Sequence, residues 1–420
     1  MLDKLHISLE ETLLSLTSEA VEMTCAMVRC DSQSPPSDTR AVVDVAKDAL
    51  AKLPGVEVFE HCRTPPVVNL VARLKGNRAG PRLILSGHID TYPIGDSSSW
   101  KTEPFSASIA DGRLYGRGSC DMKGGVAAAM AVMRLFATEA QDFPGEIILA
   151  LAGDEETMGE LGTQAMIEDL DFFEGGAVIV PDVGAPQVPR CGEKGMLWVR
   201  VTSYGRSSHG AHVHRGRNAI NTLIQTLISL KELENMRMPQ DHPAAEIMAA
   251  AEAVSEPLGG IGERDVMSRV TVNLGTLHGG GSPNLVPERA AAELDIRIPL
   301  GVSVSEVEAR VRGLIGDNDD ISIDILRAYE PSWTDPDHEI VQAVLRSSEN
   351  CFSGKVVPNM RVGASDARLW RRAGHPTVVA GLSPGNLGAP DEFLELEELP
   401  RLIRLLALAA ARYLTRSEAV

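Results

Sequence analysis

The most constraining feature of this chain is a series of short, unbroken apolar runs that each end in residues able to bind a metal. RLILS (82–86) runs into Gly87-His88-Ile89-Asp90, EIILALAG (146–153) into Asp154-Glu155-Glu156-Thr157, and AVIV (177–180) into Pro181-Asp182. A fourth stretch, Leu114-Tyr115-Gly116-Arg117-Gly118, leads into Ser119-Cys120-Asp121-Met122-Lys123-Gly124-Gly125. Apolar runs of this length suit strands buried on both faces, with helices such as 124–137 between them, so the pattern predicts a mostly parallel α/β sheet. In such a sheet the carboxyl ends of the strands share one edge, and ligand sites form there.

From about Gly195 the pattern changes. MLWVRVTSYG alternates apolar and polar residues, as a half-exposed antiparallel strand does. A helix over 218–233, strands over 268–276 and 290–298, a helix over 303–315 and a strand over 321–327 complete a split βαβ pattern of the ferredoxin-like kind. After Pro331 the helix and strand alternation resumes, with a helix over 340–351, a strand over 377–380 and a helix from about 395 to 414. The expected organisation is one α/β domain (1–194 and 329–420) interrupted by a four-stranded insertion domain (195–328). A length of 420 residues accommodates two such domains.

Composition narrows the function. With 40 Lys+Arg against 58 Asp+Glu the formal charge is -18, which repels phosphate backbones and anionic lipid, so neither nucleic acid nor a membrane surface is an expected partner. The N-terminal MLDKLHISLEETLLSL carries acids within its apolar stretch and no small-residue cleavage site, so it is not expected to act as a signal peptide. No stretch reaches the apolar length of a membrane span; the Ala-rich run after Gly125 is broken by Arg134. The 6 cysteines show no pairing rhythm and no zinc-type C-x-x-C, which points to reduced thiols in a cytoplasmic protein.

One histidine and several carboxylates at a common sheet edge would make a mixed nitrogen and oxygen site suited to zinc, manganese or cobalt. A divalent ion acidifies a bound water, but a base must still take the proton. The adjacent Glu155 and Glu156 can divide that work, one on the metal and one on the water. Asp90, two residues beyond His88, can hold the imidazole's other nitrogen. A lone His-x-Asp is too short to be specific, and each acid alone reads as a strand-end surface residue. Four such strand ends in order are not a coincidence.

GHIDTYP, GRGSCDMKGG, AGDEET and PDVG together resemble the metallohydrolase family of acetylornithine deacetylase, succinyl-diaminopimelate desuccinylase, aminoacylase and bacterial glutamate carboxypeptidase. GRSSHGAHVHRGRNAI resembles the start of that family's insertion domain, PNLVPERAAAELDIR its later strand, and GASDARLW with LSPGN the return to the catalytic domain. The resemblance implies that His88 and Asp182 bind one metal, that Asp121 bridges to a second, and that Glu156 serves the second. It makes Glu155 the general base, Asp90 the orienter of His88, and His209 the residue that reaches across a homodimer to the substrate's developing oxyanion. Asn284, Arg289 and Arg297 fall where the family meets substrate or organises the insertion domain. His212 and His214, on the same loop as His209, read as solvated loop residues.

One departure bears on the metal count. The family reads Pro-Gly, a short spacer, then His-x-x-Asp/Asn-Glu-aromatic, and that His completes the second metal site. Here the stretch runs from Pro384 to Phe393 and Gly388 occupies the ligand position. Asn386 or Asp391 would have to substitute through a loop shift. A site with one manganese or zinc ion per chain, held by His88, Asp121, Asp182 and Glu156, is therefore expected over two ions. Three functions follow: a hydrolase cleaving a C–N bond of a small carboxylate-bearing substrate; an aminohydrolase releasing ammonia from an aromatic amine, as in the 5-nitroanthranilate aminohydrolase branch; or an inactive binding scaffold. The presence of Glu155 and His209, which have no purpose in a scaffold, weighs against the last.

Overall fold

The computed structural model describes residues 2–416. Contacts divide the chain into two compact units. The first comprises Met1–Cys191, Thr334–Asn359 and Ser365–Val420, and the second Gly192–Trp333 with Met360–Ala364. These cuts fall a few residues outside 195–328, because Ser332 and Trp333 pair antiparallel with Glu193 and Gly192, and the Lys194 amide donates to the Arg361 carbonyl at 3.3 Å.

The first unit opens with helices α1 (Leu2–Val28) and α2 (Arg40–Leu50), followed by strands β1 (Val56–His61), β2 (Asn69–Lys75) and β3 (Arg78–His88). Helix α3 (Gly124–Thr138), β4 (Pro144–Ala152), α4 (Thr163–Asp169) and β5 (Ala177–Val180) follow. From Leu83 to His88 every residue of β3 is buried, as are Glu146 to Ala152 of β4 and all of β5. Covering both faces explains why these strands read as continuous apolar runs. Ala and Gly make up much of α3, and 13 of its residues are buried, because small side chains let it lie close to its neighbours.

The second unit contains β6 (Gly195–Tyr204), α5 (Ala219–Leu230), α6 (Ala244–Gly259), α7 (Glu263–Ser268), β7 (Thr271–Gly279), β8 (Arg289–Ile298), α8 (Val304–Ile315) and β9 (Ile321–Tyr329). Its four strands are antiparallel, in the order β7-β8-β6-β9. Period-two burial in β8 sends Ala290, Ala292, Leu294, Ile296 and Ile298 into a core shared with Leu197, Val199, Val201, Leu223 and Val307. Ser303 caps α8 in a full capping box with Glu306. Helices α6 and α7, absent from the strand and helix pattern expected from sequence, fill the connection between α5 and β7.

The chain returns to the first unit with α9 (Glu339–Cys351), α10 (Ala367–Arg372), β10 (Thr377–Val379) and α11 (Glu398–Leu414). The nine-stranded sheet includes the run β1-β2-β4-β3-β5-β10, with β4, β3, β5 and β10 parallel and β1 and β2 antiparallel at one side. In register, His88 of β3 lies opposite Ala152 of β4, so the residues that follow both strands emerge together. None of the described helices is long and apolar enough to cross a membrane. The cysteines are unpaired, with Cys25, Cys120 and Cys191 buried and Cys62 exposed.

One close approach draws the strand tips towards the turn that carries Asp121. Gly125 lies in the first turn of α3, and a Cβ there would stand 1.9 Å from the Pro181 carbonyl oxygen, next to Asp182. Only the absence of a side chain permits that backbone contact. Gly125→Ala should therefore cost about 1–3 kcal/mol, the usual penalty of overpacking a filled interior. Urea unfolding monitored by circular dichroism measures it, and a midpoint equal to that of the parent would refute the contact.

Candidate metal centre

His88, Asp121, Glu155, Glu156 and Asp182 come together at the carboxyl edge of β4, β3 and β5. One ligand atom from each of His88, Glu155 and Glu156 lies within 4.8 Å of the others, and the same holds for His88, Asp121 and Asp182. His88 thus belongs to both donor sets. Its ring is 3% exposed, with Nδ1 3.0 Å from the Asp90 carbonyl oxygen and 3.5 Å from Asp90 Oδ1, and Nε2 3.2 Å from Asp121 Oδ1. The Asp90 contacts assign the proton to Nδ1, which leaves the Nε2 lone pair facing a carboxylate oxygen. Two electron-rich atoms at that spacing need a cation, or a proton, between them.

The acids carry the same signature. Burial pushes the Glu155 carboxyl well above the usual carboxylate range; His88 opposes the shift, and Asp366 and Asp182 add to it. Burial, then Asp121 and Glu155, push Glu156 up in the same way. Burial opposes a charge on His88, but Asp121, Asp90 and Glu155 prevail and hold its pKa well above the ordinary histidine value. Glu156 Oε1 is buried without a hydrogen-bond partner among the described residues. Buried anions that repel one another, with an orphaned oxygen, are what a divalent cation would relieve. These residues fit the metal that their pattern implies.

The scaffold around the donors is specific. Asp90 is fully buried, and its carboxylate accepts the Glu155 and Glu156 amides, each at 3.1 Å, and the Ser34 hydroxyl at 2.6 Å. It therefore holds the turn of the two glutamates as well as lying beside His88. Glu392, 1% exposed, accepts the Cys120 and Asp121 amides, each at 3.2 Å, and its other oxygen meets Arg117 Nη1 at 2.7 Å. Asp154 is buried, and desolvation raises its carboxyl to about 7. Sequence reasoning assigned no role to Glu392, Asp154, Asp366 or Arg368. The acidic Asp154-Glu155-Glu156 run, the quoted GASDARLW stretch and the Glu of the Asp/Asn-Glu-aromatic pattern before Phe393 were the only signs of them.

The other expected site residues lie on the second unit. The two-residue ladder Ser208–His209 against Leu285–Val286 sets His209 beside Asn284, whose carbonyl accepts the Gly210 amide at 2.6 Å. His209 is exposed, with Nδ1 accepting the Ala211 amide at 3.1 Å. His212 and His214 follow in the exposed turn Gly210–Arg215. Arg297 is paired with Asp295 at 2.9 Å, and Arg289 is exposed at the start of β8.

The C-terminal loop has no side chain at the expected ligand position. Gly388 has φ +69°, and nothing lies within 4 Å of where its Cβ would be. Asn386 donates its amide to the Asp391 carbonyl at 3.0 Å, and Asp391 Oδ1 accepts the Lys101 and Thr102 amides at 2.9 and 3.0 Å. Both candidate substitutes are already engaged, Asn386 within the loop and Asp391 with the backbone at Lys101 and Thr102.

The profile of peptidase family M20/M25/M40 matches residues 84–412. A succinyl-diaminopimelate desuccinylase of Methylorubrum populi is 28% identical over 408 residues, covering 92% of this chain and 96% of that one. The enzyme of the same name from Paracoccus denitrificans is 30% identical over 303 residues, covering 70% and 71%. Among solved structures, human carnosine dipeptidase 1 superposes with a TM-score of 0.77 at 18% identity, covering 97% of this chain and 99% of that one. An M20 family metallo-carboxypeptidase of Sulfolobus solfataricus gives 0.76 at 20% identity, covering 94% and 99%. A dinuclear metal-binding M20 peptidase of Bacillus subtilis gives 0.66 at 13% identity, covering 95% and 99%. None of these relatives supports the deamination of an aromatic amine. The chain belongs to peptidase family M20/M25/M40 and is a metal-dependent hydrolase of amide C–N bonds.

Proposed function

We propose that this protein hydrolyses the amide of a small N-acyl amino acid, with Glu155 as general base and one tightly held divalent ion. The observation that carries this reading is the placement of Glu155, half-buried and held high in pKa by desolvation, against the His88 donor sets. A bound divalent ion would acidify the attacking water and polarise the scissile carbonyl. Glu155 takes the proton of that water and returns it to the leaving nitrogen, so the base is restored at the end of the cycle. Asp90 keeps the base in place through the two amides that it accepts. His209, presented by the second unit of another copy, donates to the carbonyl oxygen as negative charge develops there. The carboxylate-bearing substrate class is supported by the similarity to succinyl-diaminopimelate desuccinylases and by the exposed Arg289 on the second unit.

A panel of N-succinyl and N-acetyl amino acids, assayed with added manganese or zinc, should release acid and amine in equal amounts. Glu155→Gln should lower that rate by about two or more orders of magnitude with metal retained, since the amide keeps the shape but cannot accept a proton. A Glu155→Gln enzyme of near-parental activity would remove Glu155 from the role of base.

The metal count follows from Gly388. Losing a histidine leaves Asp121 and Glu156 as the protein donors for a second ion, and carboxylates alone select weakly for zinc-like metals. Glu156 is then free to turn to the ion of His88, Asp121 and Asp182. After dialysis the parent should retain close to one ion per chain by elemental analysis. Gly388→His should gain a second binding event, because the space is open, although the left-handed backbone there makes the substitution cost about 1–3 kcal/mol. Two firmly held ions in the parent would overturn the single-ion reading.

The dimer is inferred from the second unit, whose outer strands β7 and β9 leave backbone groups for pairing. Mixing inactive Glu155→Gln with inactive His209→Ala chains should restore part of the activity, since each mixed dimer would hold one site with both residues intact. No recovery despite demonstrated subunit exchange would place His209 outside the partner's site.

A further inference from the structure

The GASDARLW segment returns the chain to the first unit, yet no step of the reaction above uses its charged residues. Arg368, on α10, is 5% exposed. Its Nη2 donates to the Met158 carbonyl at 2.7 Å and its Nη1 to the Ser365 carbonyl at 2.6 Å. Met158 ends the turn Glu155–Thr157 with φ +87°, a left-handed conformation that a methionine does not adopt without support. The Met158 amide closes that turn on the Glu155 carbonyl at 2.7 Å. A buried guanidinium therefore grips the exit of the turn whose entry is gripped by Asp90.

Neighbouring contacts tie the same place down. Asp366 is buried, and its Oδ2 accepts the Thr163 hydroxyl at 2.6 Å, at the start of α4. A Cβ on Gly159 would stand 2.5 Å from Asp366 Oδ1, so α10 and the turn lie in close contact. Trp370, on the same helix, donates its indole N–H to the Ser86 hydroxyl at 2.9 Å, two residues before His88. Helix α10 thus touches both the strand of His88 and the turn of Glu155 and Glu156. Arg368 also supplies a positive charge that favours an ionised Glu155.

We infer that Arg368 is a positioning residue for the Glu155–Glu156 turn, holding it from the Met158 carbonyl so that base and metal donor face His88 together. The inference rests on the proposed roles of Glu155 and Glu156. Groups behind metal donors typically change metal affinity or activity by about 10–100-fold. Removing Arg368 also leaves the Met158 carbonyl without the donor that fixes it, which frees the left-handed residue to relax.

The test is a titration with Co(II), read by its visible absorption, which needs no substrate. Arg368→Ala should bind Co(II) about 10–100-fold more weakly than the parent, with an altered spectrum and with cooperative unfolding retained through the Trp370 anchor. Guanidinium chloride at millimolar, non-denaturing concentration should fill the vacated space and restore Co(II) affinity and spectrum. It should leave the parent unchanged. Arg368→Lys, which keeps the charge but cannot donate to both carbonyls in the same fork, should fall between the two. Unchanged Co(II) affinity and spectrum in Arg368→Ala would overturn the inference, as would a folded Arg368→Ala protein that guanidinium fails to rescue. Should Arg368→Ala not fold, the decision passes to Arg368→Lys, where parental Co(II) binding would overturn the inference and weakened binding would support it. Glu156→Gln, titrated in parallel, separates the readings. Parental Co(II) binding in that variant would discard Glu156 as a donor, whereas Glu155→Gln reports on the base through turnover alone.

Discussion

The structure of the first unit is organised around the concentration of negative charge at one sheet edge. Asp121, Glu155, Glu156 and Asp182 sit with His88 in a half-buried to buried cluster, and desolvation, joined by the neighbouring carboxylates, drives Glu155 and Glu156 towards protonation. Removing an unpaired ion from water costs several kcal/mol after relaxation, far more than a surface pair returns. A fold of marginal stability sustains such a cluster only if a cation occupies it or its backbone is held rigidly. The structure supplies the rigid part. Asp90 accepts the amides of the glutamate turn, Glu392 accepts those of Cys120 and Asp121, and Arg117 neutralises Glu392 at 2.7 Å. Asp90 and Glu392 thus fix main-chain groups of the two turns that carry Asp121, Glu155 and Glu156, and Arg117 braces Glu392.

This arrangement explains what could be read in the sequence and what could not. The apolar runs before His88, Glu155 and Asp182 were legible because burial on both faces imposes the same composition on every central strand, and β3, β4 and β5 lie where the runs placed them. The alternating runs of the second unit were legible because one face of its sheet packs on helices, as in β8. Helices α6 and α7 were not, since they belong to neither strand nor crossover in that pattern. Among the site residues, those at strand tips declared themselves through their position. Arg368 and Asp366 did not, because their partners Met158 and Thr163 lie about two hundred residues away and an isolated Asp-Ala-Arg has many surface explanations.

Arg297 shows the converse. Its motif suggested a contact with substrate, yet in this structure its guanidinium is paired with Asp295 two positions earlier on the same strand and the same face. A period of two places them side by side, so the charge is already half satisfied before any substrate arrives. Arg289 has no such neighbour in its strand and keeps its exposure. The two arginines are therefore not equivalent carriers of a substrate carboxylate. The more exposed one pays less to exchange solvent for an anion.

The C-terminal loop separates what a side chain does from what a backbone does. Gly388 offers no ligand, yet its carbonyl accepts Arg117 Nη2 at 3.3 Å, and four residues on, Glu392 holds the turn of Asp121. The loop thus keeps its grip on the Asp121 turn while presenting no side chain at Gly388. Its polar groups are already engaged, Asn386 on the Asp391 carbonyl within the loop and Asp391 on the amides of Lys101 and Thr102 elsewhere in the first unit. Replacing a histidine at this position changes the donor set without loosening the scaffold, because the scaffold is built from amides and carbonyls that glycine supplies as well as any residue. The contacts that hold the Asp121 turn therefore do not depend on which side chain stands at position 388.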